Sequence, residues 1–298
     1  MLPSKNTKLL HALSLQADTL SCTTAKNEFP VLLRPIAERR RVTSVEFRPL
    51  LVDAMLTTHP EGFRILFDSK GNDPLKLNEQ YGGESRQQMI PSRLRFSLAH
   101  EIAHTFFYDL SEGTPKLAKQ FHSGGGRTEL ENLEKNCDKL AARMLLPTPM
   151  LKAVLRGMKA VNPQTLVDVA KRAAVSIEAL VRRLSDQNTL LTDPYYRGCI
   201  ALVKETPEET IIRAIAKPPH LNIARGLRLM RPGERWQLTA SDGTPLKPEQ
   251  FTSISRVGLN VETSQSTFQE YYKVVQMETS RSSSAIWRLL TFEQLEQR

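Results

Sequence analysis

Apolar and polar positions alternate in two different rhythms along this chain, and the change of rhythm divides it. Between Pro91 and Tyr108, Leu94, Leu98, Ile102 and Thr105 or Phe106 recur three or four residues apart, which predicts a helix, and Pro91–Ser92 supplies a start signal. A second helical stripe runs through Leu130, Leu133, Cys137, Leu140, Ala141 and Met144. Val42 to Met55 reads as a further helix with Pro49 near its first turns, and Gly62–Asp68 alternates as a strand should. Leu75–Asn78 is a second strand candidate.

After Pro147 and Pro149 the pattern stays helical over 151–190. Leu166, Val169, Ala170 and Ala173 lead through a short turn into the Ser-capped segment Ile177–Leu184, the outline of a helix-turn-helix. From Thr192 onward the rhythm becomes that of strands: 200–204, 210–216, 235–240 and 285–290, with a turn at Ser241–Thr244 and helical candidates near the basic stretch and the C-terminus. The expected fold class is α+β in three parts: 1–150 helical with a small sheet, 151–190 helical, and 191–298 a small α+β domain.

Chemistry enters at His100-Glu101-Ile102-Ala103-His104. On a helix the two imidazoles, four residues apart, share a face, as two ligands of one zinc ion must. Glu101 between them points off the ligand axis, where a general base for peptide hydrolysis stands. A buried pair of structural histidines is the plainer alternative, but that group beside an apolar stripe is costly to bury without a cation. A zinc enzyme needs a third protein ligand. Glu134, thirty residues after His104 (134 − 104), offers it, and Asp138 on the same face can accept a hydrogen bond from the free ring N–H of a ligating His. Glu129 and Glu131 are alternatives that precede the periodic part of the helix.

Ser97-Leu98-Ala99-His100-Glu101-Ile102-Ala103-His104, followed by Glu134-x-x-x-Asp138-x-Leu140-Ala141-Ala142-x-Met144-Leu145-Leu146-Pro147, resembles the ImmA/IrrE family of gluzincin-type metallopeptidases over residues 30–190 or so. That family joins HExxH to a Glu-containing helix ending in A-x-x-L-L-x-P; Cys137–Asp138 stand where it commonly shows Ala-Asn, and Leu140 where it shows Phe. The resemblance implies a Zn2+-dependent endopeptidase that cleaves a helix-turn-helix repressor in response to DNA damage, phage or mobile elements. It also implies a GAF-like sensor at the C-terminus.

Composition adds a compartment and a second candidate surface. No apolar run reaches a membrane span and no signal-peptide pattern opens the chain, so a cytoplasmic protein without membrane contact is expected. Cys22, Cys137 and Cys199 are too few and too scattered for a disulfide framework. A thiolate can nonetheless occupy the fourth zinc position, and Cys22, on what reads as a flexible N-terminal segment, is the better placed for such a latch. His122 and Arg127 flank a Gly run between the two metal helices, a loop in which a catalytic His is weighed against an ordinary exposed one. The net charge of +9 is uneven: Arg213, Lys217, Arg225, Arg228, Arg231 and Arg235 face only Glu234. With Trp236 beside it, this run suits single-stranded DNA as an activator, or else is a solvated basic face. The rival reading of the whole chain is a non-catalytic regulator that binds DNA or a repressor and holds structural zinc.

Overall fold

The computed structural model describes residues 5–70, 91–111, 113–118, 127–156, 163–185, 198–205, 210–216, 236–239, 257–262, 267–281 and 286–294. The chain divides into two compact units, Met1–Leu151 with Arg172–Val175, and Lys152–Lys171 with Ser176–Arg298.

The first unit is a set of helices on a three-stranded sheet. Helices α1 (Lys5–Ala25), α2 (Leu33–Arg39), α3 (Ser92–His104) and α4 (Arg127–Leu145) precede α5 (Thr148–Leu155). The sheet holds β1 (Val42–Arg48), β2 (Ala54–His59) and β3 (Gly62–Asp68) in the order β1-β3-β2, with β1 parallel and β2 antiparallel to β3. Phe63, Ile65 and Phe67 of β3 are wholly buried, and so are Ile102 of α3 and Leu140 and Met144 of α4. These residues recur at spacings of two on the strand and of four on α4, so each element turns one apolar side to a shared core. α3 packs on α4 and on β2, and α1 packs on α4.

One expectation is corrected here. Val42–Met55 is not a helix: it is β1, a loop and the start of β2. Val42, Val45 and Phe47 are β-branched or aromatic and pair in register with β3, Thr43 falls at a register shift, and Pro49 lies just past the strand, where its missing N–H costs nothing. Gly62–Asp68 is a strand, as its alternation says, but it is the central one, so it has no free edge for a partner strand. Gly62 closes the hairpin after Pro60–Glu61 because a Cβ there would run into the carbonyl of Arg41. Leu75–Asn78 lies outside the described residues.

The predicted helix over 91–108 is α3 followed by a 3-10 turn, Thr105–Phe107, and then β4 (Tyr108–Asp109), which pairs with β5 (Lys116–Leu117). α1 was not foreseen. It is pinned by a buried ion pair, Asp18 Oδ2 to Arg143 Nη1 at 3.0 Å, while Asp18 Oδ1 accepts the amide of Thr148 at the start of α5. Cys22 therefore sits on a docked helix and not on a flexible segment.

The second unit is dominated by one antiparallel sheet. Its strands are β6 (Gly198–Glu205), β7 (Thr210–Ala216), β8 (Trp236–Thr239), β9 (Val257–Glu262), β10 (Thr267–Arg281) and β11 (Ile286–Gln294), in the order β7-β6-β11-β10-β9-β8. β6, β7, β8 and β11 answer to the four strands expected; β9 and β10 were not foreseen, and the helix expected near the C-terminus is replaced by β11 through Gln294. The turn at Ser241–Thr244 and the helix expected near the basic stretch fall outside the described residues. Before the sheet, α6 (Pro163–Ala173) and α7 (Ile177–Leu184) are joined by Ala174, in left-handed backbone, Val175 and Ser176. The Ser176 side chain caps α7 by accepting from the Ala179 amide at 3.1 Å. α7 packs on β6 and β7, burying Leu180, Val181 and Leu184.

Candidate metal centre

The i, i+4 pair on α3 meets an i, i+4 pair on α4. α3 buries Leu98, Ala99, Ile102 and Ala103 and thereby turns His100 and His104 toward α4; α4 buries Cys137, Leu140, Ala141 and Met144 and turns Glu134 and Asp138 toward α3. The Nε2 atoms of His100 and His104 are 3.1 Å apart. Glu134 Oε2 lies 3.0 Å from His100 Nε2 and 3.6 Å from His104 Nε2. On its other side His100 Nδ1 meets Asp138 Oδ1 at 2.9 Å.

This arrangement fits a cation. If Nδ1 of His100 donates to Asp138, its Nε2 carries a lone pair, and that lone pair faces His104 Nε2 and a carboxylate oxygen, three atoms each able to ligate one cation. A tetrahedral zinc with ligands about 2.0–2.1 Å away holds its ligand atoms about 3.3–3.4 Å from one another. The three separations, 3.0, 3.1 and 3.6 Å, bracket that value. Glu101 is also within reach, since His100, Glu101 and His104 offer ligand atoms within 4.8 Å of one another. The cluster thus holds two carboxylates that could serve as the third donor. Glu134 is the one whose single oxygen approaches both imidazoles.

Glu101 has a different environment. Its side chain is buried, and burial pushes its carboxyl up to about 7; the charge of His100 and the backbone amide of Leu56 on β2 act against that rise, and Glu134 adds to it. Burial alone would lower His100, but the hydrogen bond to Asp138 and the charge of Glu101 carry it above its ordinary value. Burial lowers His104, with Glu134 opposing and His100 adding to the shift. A carboxyl poised near neutrality beside a pair of imidazoles can exchange a proton with water in the working pH range.

The other predicted residues are dispersed. Cys22 is half-buried, and burial with the Asp18 charge raises its thiol, away from the thiolate that a latch requires. Cys137 is fully buried in the α4 core, its thiol pushed well above the ordinary range by the same burial. Arg213 on β7 is exposed, with its guanidinium 3.8 Å from Glu178 of α7. Lys217, Arg225, Arg228, Arg231 and Arg235 lie outside the described residues, as do His122 and the side chains of Arg127, Glu129 and Trp236. Sequence reasoning missed β2, whose Leu56 amide faces the Glu101 carboxyl; no local signal marks it, because its nearness to α3 arises from sheet pairing.

Residues 86–185, about a third of the chain, match the family model of the IrrE N-terminal-like domain. The segment contains the whole His/Glu cluster of α3 and α4 and is similar to a metallopeptidase domain. The chain is similar to the ImmA/IrrE family over that segment. Over 98 residues the chain is 33% identical to the radiation response metalloprotease IrrE of Deinococcus radiodurans, a match that takes in 33% of this chain and only 28% of that relative. A Mycobacterium tuberculosis transcriptional regulator superposes at a TM-score of 0.44 and 14% identity, over 95% of this chain and 76% of the other. No helix among the described residues is long and apolar enough to cross a membrane.

Proposed function

We propose that this chain is a cytoplasmic zinc-dependent endopeptidase whose substrate is a helix-turn-helix repressor. The observation that carries the reading is the convergence of His100 Nε2, His104 Nε2 and Glu134 Oε2 within 3.0–3.6 Å beside a buried Glu101. His100, His104 and Glu134 hold the ion, and Asp138 fixes the His100 ring by accepting from Nδ1. When bound, zinc supplies Lewis acidity toward the scissile carbonyl and acidifies a water. Glu101 takes the proton of the attacking water and hands it to the leaving amine. The edge of β2 that no described strand covers, whose Leu56 amide faces Glu101, pairs with an extended substrate backbone and brings its carbonyl to that carboxylate.

The repressor substrate and the stress signal come from the family. The second unit serves as the regulatory module, GAF-like in role, and the basic run from Arg213 to Arg235 with Trp236 binds single-stranded DNA as the activating ligand. Salt-sensitive binding to single-stranded oligonucleotides supports that part, and its absence removes it. Groove reading of duplex DNA by α7 finds less support, since Leu180, Val181 and Leu184 are spent on the sheet and Arg182 is engaged by Glu178.

The test is co-expression with the helix-turn-helix protein encoded beside the gene, wild type against Glu101→Gln, with and without DNA damage, read by intact mass. Fragments from wild type alone support the peptidase. A stable complex with no fragments under any condition supports instead a non-catalytic regulator with structural zinc.

A further inference from the structure

Among the described residues four large apolar side chains stand exposed, and three of them, Leu51 and Val52 just before β2 and Met55 within it, fall within five positions. Leu51 is as exposed as in an open chain, at 105%, Val52 at 55% and Met55 at 40%. A single exposed Leu is ordinary, but a contiguous group is not, because water is the worst surrounding for it. Nor is this loop loose. The Leu50 amide donates to Asp68 Oδ1 at 3.0 Å, the Asp68 amide to the Asp53 carbonyl at 3.0 Å, and the Ser69 amide to the Arg48 carbonyl at 3.0 Å. Arg93, in the first turn of the metal helix α3, grips both oxygens of Asp53 at 2.7 and 3.0 Å. The apolar side chains are therefore displayed from a frame tied to α3, so little ordering entropy is lost when something covers them.

What covers them follows from the strand they lead into. Among the described residues β2 pairs with β3 alone, and Leu56, the residue after Met55, turns its amide to Glu101. On a strand added to that edge, the residue across from Met55 is one position from the residue across from Leu56, and its side chain projects on the Met55 face. Leu51 and Val52 lie in the connection that crosses the end of β3 and enters β2 just before Met55. We infer that Leu51, Val52 and Met55 form an apolar ledge that selects a partner polypeptide carrying a large aliphatic side chain within about three positions of the scissile bond. The inference rests on the peptidase reading above and names its specificity.

Peptidyl hydroxamates anchored at the metal separate the two. The probes are tripeptides of glycine with the hydroxamate at one end or the other, and with Leu or Ser at one of the three positions. Binding to the zinc-loaded full chain is measured by titration calorimetry, for wild type and for Leu51→Ser/Val52→Ser/Met55→Thr. Wild type is expected to prefer Leu over Ser about tenfold or more at one position, as burial of a leucine side chain provides, and the variant less than about threefold. All three residues are solvent-facing, so zinc stoichiometry and melting temperature verify that the variant is folded. Equal binding of Leu and Ser probes by wild type, or an undiminished preference in the variant, overturns the ledge. Failure of the all-glycine hydroxamate to bind wild type overturns the metal-centre reading itself, and is recognised separately because it does not depend on any side chain.

Discussion

The two compact units use their polar residues in opposite ways. In the first, charged groups are drawn inward: Asp18 and Arg143 pair with each other, His100 meets the half-exposed Glu134 and Asp138, and Glu101 is buried against the Leu56 amide. In the second, Arg183 of α7 is the one buried charged residue among those described, the other polar contacts are exposed, such as the Glu178–Arg182 pair, and the unit is held by strand pairing from β6 to β11. Buried ionic groups are expensive unless matched, so their concentration in the first unit marks it as the place where the fold gives up stability for chemistry. The second unit shows no such concentration among its described residues.

The largest expected effect tests whether matching is what holds the first unit. Asp18→Ala leaves the Arg143 guanidinium buried without that carboxylate and uncaps the Thr148 amide, and should cost about 3–5 kcal/mol in urea unfolding. Asp18→Leu with Arg143→Met should recover much of it; no recovery would mean that the ion pair is not the source.

Next comes the cost of Glu101. In the metal-free protein its folded carboxyl titrates near 7, above its ordinary 4.5, so the fold is favoured below about pH 4.5 and loses stability as pH rises through about 7. Glu101→Gln should then stabilise the metal-free chain at pH 8 by up to about 3 kcal/mol and leave it unchanged at pH 4.5. Equal melting curves at both pH values would show that Glu101 is not strained by burial. Asp138→Ala should weaken zinc affinity about 10–100-fold against a competing chelator without removing the site, as loss of a partner to a ligating imidazole does. The smallest effect concerns the helix pair: Ala174 has φ of 52°, and Ala174→Gly should raise stability by about 0.5–1 kcal/mol.

The same contrast explains what could be read from the residues alone. His100, Glu101, His104, Glu134 and Asp138 were legible because helical periodicity is local and brings i and i+4 together whatever the tertiary fold. β2 was not, because Ala54–His59 alternates poorly and is a strand only by virtue of β3; with it went the edge that faces Glu101. β9 and β10 were missed for a related reason, since Thr267–Arg281 mixes charged and polar residues that pair across a sheet without an apolar stripe to announce it. Cys22 read as flexible because the Asp18–Arg143 pair that docks its helix joins residues 125 apart.

The central claim is that Glu134, not Glu101, completes the metal site, and zinc stoichiometry by elemental analysis tests it most directly. One zinc per chain retained in Glu101→Gln and lost in Glu134→Ala, as in His100→Ala and His104→Ala, is the predicted result. Zinc retained in Glu134→Ala and lost in Glu101→Gln would exchange the roles of the two carboxylates and contradict the mechanism.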